Sequence, residues 1–75
     1  FNPVTNITFS LPVSMDIELN VIDLQGRLVQ TIMDGMQAEG QHHAVLNGKD
    51  LSSGVYFIQL LTNEGIHYSK VILLK

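Results

Sequence analysis

The chain has 75 residues, with four Lys plus Arg against seven Asp plus Glu, three His and no Cys. A single domain of this size buries only roughly 60% of the surface its unfolded form exposes, and without cysteine neither a disulfide framework nor a Cys-ligated zinc site can brace it. A formal charge of -3, with Arg27, Lys49, Lys70 and Lys75 scattered singly, lacks the clustered cations of a nucleic-acid footprint, and apolar runs such as Val71 to Leu74 fall far short of the roughly 20 residues of a membrane helix.

Period-two patterning dominates. Ile7, Phe9 and Leu11 alternate with Asn6, Thr8 and Ser10, and Met15, Ile17, Leu19 and Val21 alternate with Asp16, Glu18 and Asn20. Both runs predict strands with one buried and one wet face, and Pro12 between them lacks a ladder donor and should close the first. Asp23-Leu24-Gln25-Gly26 reads as a type I turn with Gly at its fourth position, where a positive φ and a bulge restart pairing into a third strand, Arg27 to Met33. A loop over Asp34 to Gly40 then leads to a fourth strand, Gln41 to Asn47. In the turn-dense block Asn47 to Gly54, Asp50 is expected to cap one helical turn through Ser52 and Ser53.

Val55 to Leu61 predicts a central strand with Tyr56, Ile58 and Leu60 inward and Gln59 outward. Thr62-Asn63-Glu64-Gly65 repeats the turn logic of residues 23–26, so Ile66 to Leu74 should return as a hairpin with Ser69, Val71 and Leu73 on the inner face and Lys70 in water. Six strands at spacings near ten residues point to an all-β, antiparallel sandwich of immunoglobulin type with six or seven strands; a small barrel is the alternative.

Catalytic chemistry finds no foothold. His42 and His43 are adjacent, so on a strand they point to opposite faces, and His67 has no fixed spacing to them, which leaves no metal-ligand pattern. Asp16 and Glu18 share the polar side of a strand, where charge keeps a sheet face wet. Ser52-Ser53-Gly54 is not a nucleophile elbow, and Gly48-Lys49 lacks the remainder of a phosphate loop. Asn6-Ile7-Thr8 fits the glycosylation tripeptide, which matters only in a eukaryotic secretory route. No enzyme and no cofactor is expected. A chain that starts at Phe1 and enters a strand-like run at once is expected to be a module cut from the C-terminal part of a longer protein.

Four motifs, in order, carry a resemblance: Asn2-Pro3 before the first strand, Asp23-Leu24-Gln25-Gly26-Arg27 after the second, Leu51-Ser52-Ser53-Gly54-Val55-Tyr56 opening the fifth, and Lys70-Val71-Ile72-Leu73-Leu74-Lys75 at the end. Together they resemble the type IX secretion C-terminal sorting domain, also known from Por secretion. The Asp-x-x-Gly-Arg and Ser-Gly-Val-Tyr elements are also similar to the immunoglobulin-like domain of flagellar hook-capping proteins.

The resemblance implies a seven-stranded immunoglobulin-like sandwich, carried by diverse exported proteins of Bacteroidetes-type bacteria. Residues 1–75 would then be a single C-terminal sorting domain excised from a longer secreted protein. Its implied partners are the type IX translocon, a sortase-like peptidase and the parent cargo in cis, with no nucleic acid and no direct membrane insertion. The implied route runs through the periplasm and across the outer membrane to the cell surface or the exterior, often with cleavage and anchoring or release of the cargo.

Carried over residue by residue, the recognition candidates are Asp23, Gly26, Arg27, Gly54, Val55, Tyr56 and the terminal Lys70, Val71, Ile72, Leu73, Leu74 and Lys75. Gly26 and Gly54 are expected to serve backbone geometry, Tyr56 the core with its hydroxyl at the rim, and Asp23 and Arg27 either to pair with each other or to meet the translocon. Leu46-Asn47 departs from the aromatic-Asp pair of many relatives, so the turn after the fourth strand should be capped differently. The alternative function is a structural or carbohydrate-associated module of an extracellular enzyme, whose stacking rings could only be Phe1, Phe9, Tyr56, Phe57 and Tyr68, since no Trp is present.

Overall fold

The structure, a computed structural model, describes residues 2–75; Phe1, one of the five candidate stacking rings, lies outside the described residues. Six strands follow in chain order: β1 (Val4–Leu11), β2 (Met15–Asp23), β3 (Leu28–Gln37), β4 (Gly40–Asn47), β5 (Gly54–Thr62) and β6 (Gly65–Leu73). They form two antiparallel sheets, β1-β4 and β3-β2-β5-β6, and no helix occurs among the described residues. This is the expected all-β sandwich, with six strands rather than the seven of the resemblance.

Alternation decides what lies between the sheets. Leu19 and Val21 of β2, Ala44 and Leu46 of β4, Tyr56 and Ile58 of β5 and Leu73 of β6 form one buried group, and Leu11, Met15 and Ile17 form a second. Removing each large apolar side chain from water contributes about 1.5–3 kcal/mol, and with no cysteine in the sequence no disulfide adds to it. Every strand runs from one end of the sandwich to the other, so all the turns collect at two poles.

Three expectations are corrected. The segment expected to loop from Asp34 is mostly strand: β3 continues to Gln37, with Asp34 opposite Glu18, Gly35 opposite Ile17 and Gln37 opposite Met15. Strand propensity in Asp34-Gly35 is poor, but Met15 and Ile17 are buried on β2, and the neighbouring ladder overrides the local preference. Asp50 does not cap a helical turn; the Asn47 Oδ1 accepts from the Lys49 N–H at 3.0 Å, and the Leu51 N–H bonds the Gly48 carbonyl at 3.0 Å. The capping residue is thus the Asn at the departure from the family pattern. β6 ends at Leu73, one residue short of the expected Leu74, and Ser69 is exposed although it faces inward. The two-stranded sheet is too narrow to cover the first half of β6, which leaves a cleft of about 330 Å³ bounded by Ile7, Phe9, Leu60, His67 and Ser69.

Candidate functional site: the signature pole of the four-stranded sheet

The β2–β3 connection is the most completely bonded turn in the chain. The Gly26 N–H bonds the Asp23 carbonyl at 3.0 Å, and the Asp23 N–H bonds the Arg27 carbonyl at 2.9 Å, which closes a type I turn with Gly26 at φ 83 as its bulge residue. The Asp23 Oδ1 accepts from the N–H groups of Gln25 and Arg27, each at 2.9 Å, and its Oδ2 accepts from the Arg27 Nε at 2.9 Å. The Arg27 backbone N–H foremost holds the Asp23 carboxyl below its ordinary value; desolvation, the next largest effect, opposes it, and the Arg27 side chain and the Gln25 N–H add to the lowering. Asp23 and Arg27 therefore do pair, yet the Arg27 side chain remains 74% exposed against 12% for Asp23.

The register brings the other two motifs to this turn. Asp23 stands opposite Tyr56 and Ile22 opposite Phe57 across β2·β5, while Tyr56 stands opposite Val71, Val55 opposite Ile72 and Gly54 opposite Leu73 across β5·β6. Three segments separated by tens of residues thus form one contiguous pole. Within it the candidates divide by face. Tyr56 and Leu73 are buried, and the Tyr56 hydroxyl is used inside the fold, donating to the Ser52 carbonyl at 2.7 Å. Lys70, Ile72 and Leu74 are exposed, Val71 and Val55 half-buried. Lys75 lies past the strand and is tied back, its N–H to the Ser53 Oγ at 3.1 Å and its Nζ to the Lys49 carbonyl at 2.7 Å. Gly54, at φ 153 with nothing near its missing β-carbon, is kept by backbone conformation rather than by crowding.

The sequence reading missed the outer face of this sheet. Thr31 donates to Asn20 at 2.9 Å, the Asn20 Nδ2 to Gln59 at 3.1 Å and the Gln59 Nε2 to the Tyr68 hydroxyl at 3.1 Å, so one hydrogen-bonded row crosses β3, β2, β5 and β6. The only signal for it was Asn20 and Gln59 at outward positions of strongly apolar strands. On the signature side of that row, Ile22, Leu24, Phe57 and Tyr68 with Asp23 and Gly26 line a shallow pocket of about 480 Å³. Leu24 at the turn is 64% exposed, and Lys70 lies opposite Phe57 at the pocket's β6 side.

Of the residues weighed for catalysis, Asp16 and Glu18 share an open surface pocket with Asp34, which stands opposite Glu18, while the histidines are separated. His42 stacks on Phe9 with centroids 5.3 Å apart and its Nε2 lies 2.7 Å from the Ala38 carbonyl, while His43 is exposed on the other face of β4. Among the described residues no group of His, Asp and Glu is placed to hold a metal ion.

A family model described as a secretion system C-terminal sorting domain matches residues 2–74, nearly the whole chain. No curated protein and no solved structure matches it.

Proposed function

The chain belongs to the secretion system C-terminal sorting domain family, and on that premise we propose that its signature pole is the surface read by the type IX machinery. A domain of this family is the non-catalytic C-terminal sorting signal of type IX secretion and directs export to the cell surface or the exterior. Residues 1–75 act as the address of a longer secreted protein, recognised in the periplasm by the translocon, carried across the outer membrane and then cut by a sortase-like peptidase, with the cargo anchored or released. The single observation that supports this reading is the register: Asp23, Tyr56 and Val71 lie in one row across three strands, so the family's separated motifs meet at one pole.

Two kinds of residue share that surface. Gly26, Gly54, Tyr56, Val71 and Leu73 shape and brace it, and Arg27, Val55, Lys70, Ile72, Leu74 and Lys75 present it, with Asp23 fixing the Arg27 stem. Residues 1–75 fused behind a periplasm-directed fluorescent reporter should reach the surface or medium only in a host with a working type IX apparatus; delivery that ignores the apparatus contradicts the proposal. Deleting residues 71–75 is a poor probe, because Leu73 is fully buried and its loss destabilises the fold as well as removing the signal. Leu74→Asp is cleaner: it alters an exposed side chain and should reduce export while the melting temperature stays within a few degrees.

A further inference from the structure

Charge is separated along the molecule. The described residues span 36 × 22 × 16 Å, with the strands running between two poles. All four cationic side chains belong to the signature half: Arg27 in the β2–β3 turn, Lys49 in the β4–β5 loop, Lys70 in the second half of β6 and Lys75 beyond it. Five of the seven carboxylates belong to the opposite half: Asp16 and Glu18 early in β2, Asp34 late in β3, Glu39 in the β3–β4 turn and Glu64 in the β5–β6 turn. Among the side chains at the signature pole, Asp23 and Asp50 offset the cations, and Asp23 is bound to Arg27. A chain that is acidic as a whole therefore presents a cationic pole, and the apolar pocket of Ile22, Leu24, Phe57 and Tyr68 opens beside it, whereas the cleft by Phe9 and His67 lies toward the acidic pole.

We infer that the signature pole docks on a protein surface that inserts an apolar side chain between Ile22, Leu24, Phe57 and Tyr68 and surrounds it with carboxylates. The inference rests on the sorting reading above and adds the chemistry of the partner. The pocket supplies a desolvated anchor of the kind that carries most binding energy, while Arg27 and Lys70 at its margins supply complementarity to carboxylates. Acidic groups at the far pole are repelled by the same partner, so the domain approaches signature end first; such steering acts on the encounter rate and weakens with salt. A protein fits better than an anionic lipid surface. The cations flank a pocket sized for a side chain instead of forming the polybasic stripe or amphipathic helix that membranes attract, and two carboxylates share the pole.

The reporter fusion in a host with a working apparatus provides the test, using variants confined to exposed side chains. Lys70→Glu and Leu24→Asp should each lower export about fivefold or more, Lys70→Arg should retain it, and Glu39→Lys and Glu64→Lys, which lie outside the docking pole and act only on the encounter rate, should each change it by less than about twofold. Unaltered export by Lys70→Glu and Leu24→Asp, with the parent fusion still dependent on the apparatus, overturns the docking chemistry and leaves the sorting reading standing. A parent fusion that ignores the apparatus overturns both. In a parallel arm, co-sedimentation of the purified chain with phosphatidylglycerol vesicles should match that with phosphatidylcholine vesicles; selective phosphatidylglycerol binding abolished by Lys70→Glu would assign the pole to a lipid and overturn the inference.

Discussion

Asp23 accepts three hydrogen bonds at one carboxylate and so fixes both the turn and the stem of Arg27, an exposed cation near the pocket. Its folded pKa is depressed from an ordinary value of 3.8, so its contribution to stability is fully present above that value and is lost as the pH falls through the lower folded value. Urea midpoints measured from about pH 5 to pH 2.5 should decline on this limb more steeply for the native chain than for Asp23→Asn, which keeps an acceptor oxygen but not the charge. Parallel curves for the two proteins would mean that the bonds do not distinguish the carboxylate from its amide. Gly26, at φ 83, makes a second prediction: Gly26→Ala should cost about 1 kcal/mol in chemical denaturation because an alanine there is forced into a left-handed conformation. An unchanged midpoint would refute that role for the glycine.

At the scale of elements, the hydrogen-bonded row on the outer face of β3-β2-β5-β6 ties four strands together side by side. Asn20 is only 3% exposed, and both its amide atoms are used. Asn20→Ala leaves the Thr31 hydroxyl and the Gln59 carbonyl without their partner and should destabilise by about 1–3 kcal/mol, whereas Asn20→Val combined with Gln59→Leu should recover part of that loss by removing both partners together. Additive effects in that double-mutant cycle would show that the row carries no coupling. This row was scarcely legible in the sequence, since a polar residue at an outward position normally means only contact with water; its meaning depends on which strands become neighbours. The strands themselves were legible because Met15, Ile17, Leu19 and Val21 alternate without interruption and Pro12 and Gly26 mark ends. The end of β3 was not, because Asp34-Gly35 reads as a turn until Glu18 and Ile17 stand opposite it.

Across the whole molecule, the six strands turn a linear string of motifs into a body with two unlike poles. The sequence displayed the motif residues and their partition between bracing and presentation over residues 70–74, where Leu73 is buried and Lys70, Ile72 and Leu74 are exposed. It did not display their meeting place, because pairing β5 with both β2 and β6 is a long-range choice made by the sandwich. Leu73→Ala should illustrate the bracing role by costing about 2–5 kcal/mol, as expected for truncating a fully buried leucine, with export falling in step with the unfolded fraction. Export that survives full unfolding would mean that a linear tail, not a folded pole, is what the machinery reads.

The most direct test is site-specific photo-crosslinking in cells that carry a working type IX apparatus. A photoreactive residue replaces Leu24 or Ile72 at the signature pole, or Glu39 or Glu64 at the acidic pole, within the reporter fusion. Adducts to an apparatus component formed from Leu24 and Ile72 and absent from Glu39 and Glu64 are expected. Adducts confined to Glu39 and Glu64, or formed equally from all four positions, would contradict recognition through the signature pole.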